Sequence, residues 1–244
     1  MKAYLKSAMK SKLYFNPTWA TTRQGLNISL WASNPPEPSL LQKENSPILF
    51  IGGVHGDEPE GVWLAEAFLN RIKTHHIKQS HAPSQLRSIQ PWVIIPCLNP
   101  EGYSRLERTN SAGVDLNRNF PSPDWSPEAK APRYFPGIQP GTEPEVQAVL
   151  QATEIYKPKL IIHFHSWKPC VVYTGKPAEP IARLLSDHSG YPMHEDIGYP
   201  TPGSLGQYGW LSLKTPVICI EEQEGISRDH IWRRFQWALM DLIK

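Results

Sequence analysis

Four short apolar runs do most to limit what this chain can fold into: "PILFI" (47–51), "WVIIP" (92–96), "LIIHF" (160–164) and "VICI" (217–220). Each is rich in Ile, Val or Leu and lacks polar alternation, the pattern of a strand covered on both faces. Between them the apolar period changes to that of helices. In "EGVWLAEAFLNRIK" (60–73), Leu64, Ala65, Phe68, Leu69 and Ile72 share one face. "TEPEVQAVLQATEIY" (142–156) opens with Thr142 and Glu145 in capping-box spacing, followed by Val146, Val149, Leu150 and Thr153. "EPIARLLSDHSG" (179–190) ends on Gly190, a helix stop, and "SRDHIWRRFQWALMDLIK" (227–244) starts at Ser227 and repeats Ile231, Phe235, Leu239 and Leu242. Strands alternating with helices predict an α/β fold with a mixed, largely parallel central sheet and helices on both faces. No repeat or composition shift divides the 244 residues, so a single domain over 1–244 is expected.

Bulk chemistry narrows the function. A net charge of +2, without a lysine–arginine cluster, gives no electrostatic case for nucleic acid or a membrane surface. No run approaches the ~18 apolar residues of a membrane span, and "MKAYLKSAMKSKLYF" lacks the apolar core and cleavage site of a signal peptide. Cys97, Cys170 and Cys219 are widely spaced, with no CxxC pair. Cys97 and Cys219 lie in apolar, strand-like segments and read as buried thiols, and the three suit a reducing, cytoplasmic protein rather than a disulfide or zinc–cysteine framework. The 25 prolines gather in loops at 33–47 and 120–141. The second loop carries aromatic residues and reads as an ordered functional rim. "THHIKQSH" (74–81) reads as a solvated loop.

Ligands of such sheets gather beyond the carboxyl ends of the strands. The turn "IGGVHGDEPEG" (51–61) leaves the first run, and His55 and Glu58, three apart, can aim at one ion. Gly52, Gly53 and Gly56 let the backbone bend there. His165, after the third run, would complete a His₂Glu set, which in catalytic zinc sites leaves one position for water. Zinc brings the pKa of such a water to about 7. Hydrolysis then needs a base, and Glu221 and Glu222, at the end of the fourth run, are the candidates. On a strand they point to opposite faces, so one of them faces the site. In "RTNSAGVDLNRNFP" (108–121), Arg108 and Arg118 are forked donors for a carboxylate or carbonyl oxygen, joined by the amides of Asn117 and Asn119. Asp115 suits the role of acceptor from a zinc-bound histidine.

Together "HGDE", "NPEGY", "GVDLNRNFP", "HFHSW" and "PVICIEE" resemble the zinc carboxypeptidase (carboxypeptidase A) superfamily, and within it the murein peptide amidase branch. "GYPTPGSLGQY" (198–208) and "PGTEPEVQAV" (140–149) extend the likeness, which spans about residues 45 to 225. The resemblance implies one zinc per chain on His55, Glu58 and His165, with Arg108 polarising the scissile carbonyl. It implies that Asn117 and Arg118 bind the substrate carboxylate, that Tyr199 lies on a closing loop, and that Glu221 is the base. Glu222 is then the outward, dispensable neighbour, and loss of Asp57 or Glu60 should be tolerated better than loss of Glu58. The implied substrate is a small peptide, the murein tripeptide, cut at its γ-D-glutamyl–meso-diaminopimelate bond. Two related activities use the same atoms: a general metallocarboxypeptidase, and an N-acyl amino acid deacylase of the aspartoacylase and succinylglutamate desuccinylase type. A binding protein that had lost catalysis should lack one of these residues, and all are present. The chain departs from the family at His163, where many members carry aspartate, and in "EQEG" after Glu221 and "SWKP" after the second histidine.

Overall fold

The computed structural model describes residues 13–36, 46–79 and 90–244. In it the four apolar runs lie side by side. They are β3 (Ile48–Ile51), β4 (Trp92–Ile95), β5 (Leu160–Trp167) and β8 (Val217–Gln223), and β4-β3-β5-β8 forms a parallel block at the centre of an eight-stranded sheet. β1 (Tyr14–Thr21) and β2 (Asn27–Ala32) extend the sheet antiparallel beyond β4. On the other side β6 (Cys170–Thr174) joins β8 antiparallel and carries β7 (Met193–His194). The mixed, largely parallel sheet is as expected. The outer strands went unread because they are short or interrupted; β1 contains Pro17 and a register shift between Asn16 and Ala20. β2 did carry a signal, since Ile28, Leu30 and Ala32 alternate inward.

Strand parity builds two cores. Ile48, Phe50, Ile162, Phe164, Ile218 and Ile220 face α1 (Pro59–Gln79), α4 (Glu179–Ser189) and α6 (Arg228–Asp241). Leu49, Ile51, Val93, Ile95, Ile161 and Val217 point the other way, to α3 (Pro144–Tyr156) and the turns around Leu205 and Tyr208. Two shorter helical turns, α2 (Pro100–Arg105) and α5 (Leu205–Gln207), complete the elements used below.

Three expectations need correction. α1 runs on to Gln79, so 74–79 is helix rather than solvated loop: nothing between Lys73 and Gln79 breaks a helix, and only residues 80 and 81 lie outside the described residues. The capping box at α3 does not form. Glu143 is the N-cap, and Thr142 Oγ1 donates instead to the Gln139 carbonyl at 3.1 Å. His165 and Glu221 do not follow their strands but are the late residues of β5 and β8. α4 does stop at Gly190, whose φ of 75° is the left-handed cap.

Candidate functional site

The parity that sorts the core also sorts the polar residues. On β5, His163 and His165 share a face with Ile161, and on β8, Cys219 and Glu221 share a face with Val217. Parallel register sets His163 opposite Cys219 and His165 opposite Glu221. Four groups thus meet at the carboxyl end of the sheet. The turn after β3 brings His55 and Glu58 to the same place, just ahead of α1. Its glycines serve different ends. Gly53 has φ +61°, whereas a Cβ on Gly56 would lie 1.9 Å from the carbonyl carbon of Gly102, so close approach to α2 excludes any side chain there.

His55 Nδ1 lies 2.7 Å from Glu58 Oε1, His165 Nδ1 lies 2.7 Å from Glu58 Oε2, and the two Nδ1 atoms are 3.1 Å apart. The other nitrogen of His55, Nε2, faces Asp115 Oδ1 at 3.1 Å. A carboxylate there holds the ring proton, so Nδ1 turns a lone pair toward Glu58 and the second histidine. Three lone-pair donors crowded within 4.8 Å of one another repel unless a cation lies between them. Two imidazoles and a carboxylate are the donor set that zinc takes in hydrolytic sites, so the residues fit that metal.

Asp115 ties this centre to the arginines. It is fully buried, takes Arg108 Nε on Oδ2 at 2.9 Å, and accepts the Asn117 amide on Oδ1 at 3.0 Å. Burial alone would raise its carboxyl, but His55, Arg108 and Arg118 hold it below the usual carboxylate range. Arg108 Nη1 reaches Glu58 Oε1 at 3.2 Å. Asn117 Oδ1 accepts the Leu205 amide at 2.9 Å, and Arg118 Nη1 donates to the Asn117 carbonyl at 2.6 Å. Asn119 turns away, donating to the Pro136 and Gln139 carbonyls, and braces the proline-rich loop. From that loop Tyr134 sets its ring 5.2 Å from Arg108 and 5.9 Å from Arg118, so the segment is the ordered rim expected of it.

His55, Glu58, His165, Arg108, Asn117, Arg118 and Tyr134 line one cavity of about 790 Å³, together with Tyr199 and Glu221. Tyr199 stands half-exposed at the mouth, its ring 6.1 Å from that of Trp167. Burial pushes the Glu221 carboxyl above its usual range; His165 opposes this and Glu58 reinforces it. Sequence reading missed Cys219, whose thiol donates to Glu221 Oε1 at 3.4 Å. The two-residue strand period pairs them and was the available signal. Burial lifts that thiol well above its ordinary range, with Glu221 adding to the effect, so it stays protonated.

Two of the neighbouring acids, Glu60 and Glu222, are buried structural groups. Glu60 accepts Ser166 Oγ at 2.7 Å and the Gly225 amide at 2.8 Å, bracing the residue after His165. Glu222 does face away from Glu221, but into packed protein rather than solvent. It takes the Tyr191 hydroxyl and, at 2.9 Å, Arg234 Nη1, and burial pushes its carboxyl up to about 7. α6 covers that face of the sheet, which the sequence of β8 does not disclose. Replacing Glu222 with Ala should therefore cost about 1–3 kcal/mol, the penalty for stranding a buried hydrogen-bond partner. Urea denaturation measures this, and zinc content should not change. Asp57 is different, pairing at the surface with Arg133 at 3.2 Å, where an ion pair contributes little.

The zinc carboxypeptidase family matches residues 8–200, a span that includes His55 through His165 and stops before β8. The chain is 28% identical over 207 residues to murein peptide amidase A of Escherichia coli (strain K12), covering 80% of this chain and 78% of that protein. It shares its fold with the crystal structure of a murein-tripeptide amidase from Escherichia coli O157, at TM-score 0.70 and 24% identity over 99% of this chain and 97% of the other. The carboxypeptidase A of Helicoverpa armigera has the same fold, at TM-score 0.72 and 15% identity, covering 95% and 68% of the two chains.

Proposed function

The chain belongs to the zinc carboxypeptidase family, and from that premise we propose that it hydrolyses the γ-D-glutamyl–meso-diaminopimelate bond of murein peptides. That it is a zinc metallopeptidase or amidase follows from the family. The choice of bond rests on its similarity to murein peptide amidase A over most of both chains. The cavity is consistent with it. Diaminopimelate leaves with carboxylates and an ammonium group at separate points. The walls offer Arg118 and Arg133 to the former and Glu195 and Asp196 to the latter. No described helix is long and apolar enough to cross a membrane. With its free thiols, the protein suits the reducing cytoplasm, where it would act on small released peptides.

In this reading His55 Nδ1, His165 Nδ1 and the Glu58 carboxylate hold the zinc. Bound there, the metal supplies Lewis acidity, lowering the pKa of water to about 7 and polarising a carbonyl oxygen. Arg108 donates to the scissile carbonyl oxygen as negative charge develops on it. Arg118 and Asn117 grip the carboxylate beside the cleaved bond and so set the substrate's register. Glu221 takes the proton of the attacking water and delivers it to the leaving amine. Tyr199 closes over the bound peptide from the rim and excludes solvent.

The test is mass spectrometry of L-Ala-γ-D-Glu-meso-diaminopimelate incubated with the protein, beside ordinary peptides of varied C-termini. Release of diaminopimelate from the first alone is the expected outcome. Equal release of C-terminal residues from ordinary peptides would instead make this a general metallocarboxypeptidase. Arg118→Ala should raise KM about 10–100-fold for substrates with a free carboxylate beside the bond, with a smaller change in kcat, as expected when a charge-assisted contact made in the ground state is lost. An unchanged KM in steady-state assays would remove Arg118 from the binding role.

A further inference from the structure

Two residues before His165 the chain carries a second histidine, His163. His163 is buried, on the same face of β5 as His165, and the two rings are nearly perpendicular, at 88° with centroids 4.7 Å apart. His165 Nε2 lies 2.8 Å from His163 Nδ1. The other nitrogen of His165, Nδ1, is the one turned to Glu58 and His55. An imidazole that offers Nδ1 to a metal carries its proton on Nε2, and a buried N–H needs an acceptor. For His55 that acceptor is Asp115. For His165 the atom in place is Nδ1 of a second imidazole.

We propose that His163 is a positioning residue of the metal centre: as the neutral Nε2–H tautomer, it accepts the His165 Nε2–H bond on Nδ1 and so fixes the tautomer and orientation in which His165 presents Nδ1 to zinc. The two zinc histidines are thus steadied by chemically different acceptors, a carboxylate for His55 and a neutral ring for His165. This inference rests on the reading of His55, Glu58 and His165 as the ligands.

His163, His165 and Cys219 also bring possible ligand atoms within 4.8 Å of one another. An ion held there would take Nε2 of His165 and force that ring to bridge two cations. It would also need a thiolate at Cys219, whose thiol is turned to Glu221 as a donor. The hydrogen-bonding role fits both contacts without either demand.

The experiment is zinc stoichiometry and equilibrium zinc affinity, measured by competition with a chromophoric chelator, for the parent protein, His163→Leu and His163→Asn. All three should bind one zinc. His163→Leu should bind it about 10–100-fold more weakly, the usual cost of removing a partner that orients a ligand. His163→Asn should stay close to the parent, because its Oδ1 takes the position of the lost Nδ1 as an acceptor. Unchanged affinity in His163→Leu, or equal loss in both variants, overturns the proposal. So does a second zinc in the parent that His163→Leu removes. Should the variants fail to fold, ¹⁵N NMR of the zinc-loaded parent decides: a scalar coupling between His165 Nε2 and His163 Nδ1 is expected, and a proton on His163 Nδ1 overturns it. His55→Ala serves as the control. If its zinc affinity matches the parent's, the ligand assignment itself fails, and this inference with it.

Discussion

Glu221→Gln should keep one zinc per chain and lose about 10²–10⁴ in turnover, the usual contribution of a positioned general base. Glutamine preserves the shape of the side chain and its contact with Cys219, so a loss of this size reports proton transfer rather than packing. The residue lies opposite His165 near the carboxyl end of the parallel block, inside the cavity that also holds Arg108 and Arg118. Burial raises its carboxyl above the usual range. The sign follows. The base must be ionised, so kcat/KM of the parent should fall as pH drops through the raised value, and the residual activity of the Gln variant should lack that acid limb. Steady-state pH profiles beside metal analysis check both points. Near-normal turnover in Glu221→Gln would sink the assignment.

Zinc removal should abolish hydrolysis and also loosen the fold. Purified protein is expected to hold one zinc per chain, and a chelator should remove both metal and activity, with zinc restoring both. The stability effect comes from the same three side chains. His55 and Glu58 share one turn, but His165 lies 107 residues beyond Glu58, and only the folded state brings the three sets of lone pairs together. At free zinc 100 times its Kd the metal stabilises the folded state by about 2.7 kcal/mol. For a protein of this size that is a Tm shift of roughly 5–10 °C, read by calorimetry of the two forms. Full activity in metal-free protein would overturn the zinc reading.

Much of the site could be read from the order of residues because its parts are short-range patterns. HxxE after a glycine-rich turn is a local spacing. The alternation in "CIEE" already says that Glu221 and Glu222 part ways. Other features could not be read. Glu222 and Glu60 look like solvated charges, and become buried partners of Arg234, Tyr191 and Ser166 only when α6 and β5 pack beside them. Thr142 and Glu145 fit a capping box, yet Glu143 takes the N-cap and Glu145 is recruited by Asn110, 35 residues away. Tertiary partners outbid a local motif worth about 1 kcal/mol. Asp115 was read as a partner for a zinc histidine, but its second bond, to Arg108, links the metal centre to the arginine cluster in a way no spacing reveals.

By itself, the sequence determined the element types, the central strands, the two-faced helical cover and the candidate donors. Each of these is a property of neighbouring residues, set by the periods of strand and helix and by the chemistry of single side chains. Only the tertiary structure decided which donors meet and what holds each one. The order β4-β3-β5-β8 and its register bring Ile51 beside His163, His163 beside Cys219, and His165 beside Glu221. Those contacts join segments about 55 to 110 residues apart. Their formation depends on how the sheet closes and how its faces are covered, and so no local pattern carries them.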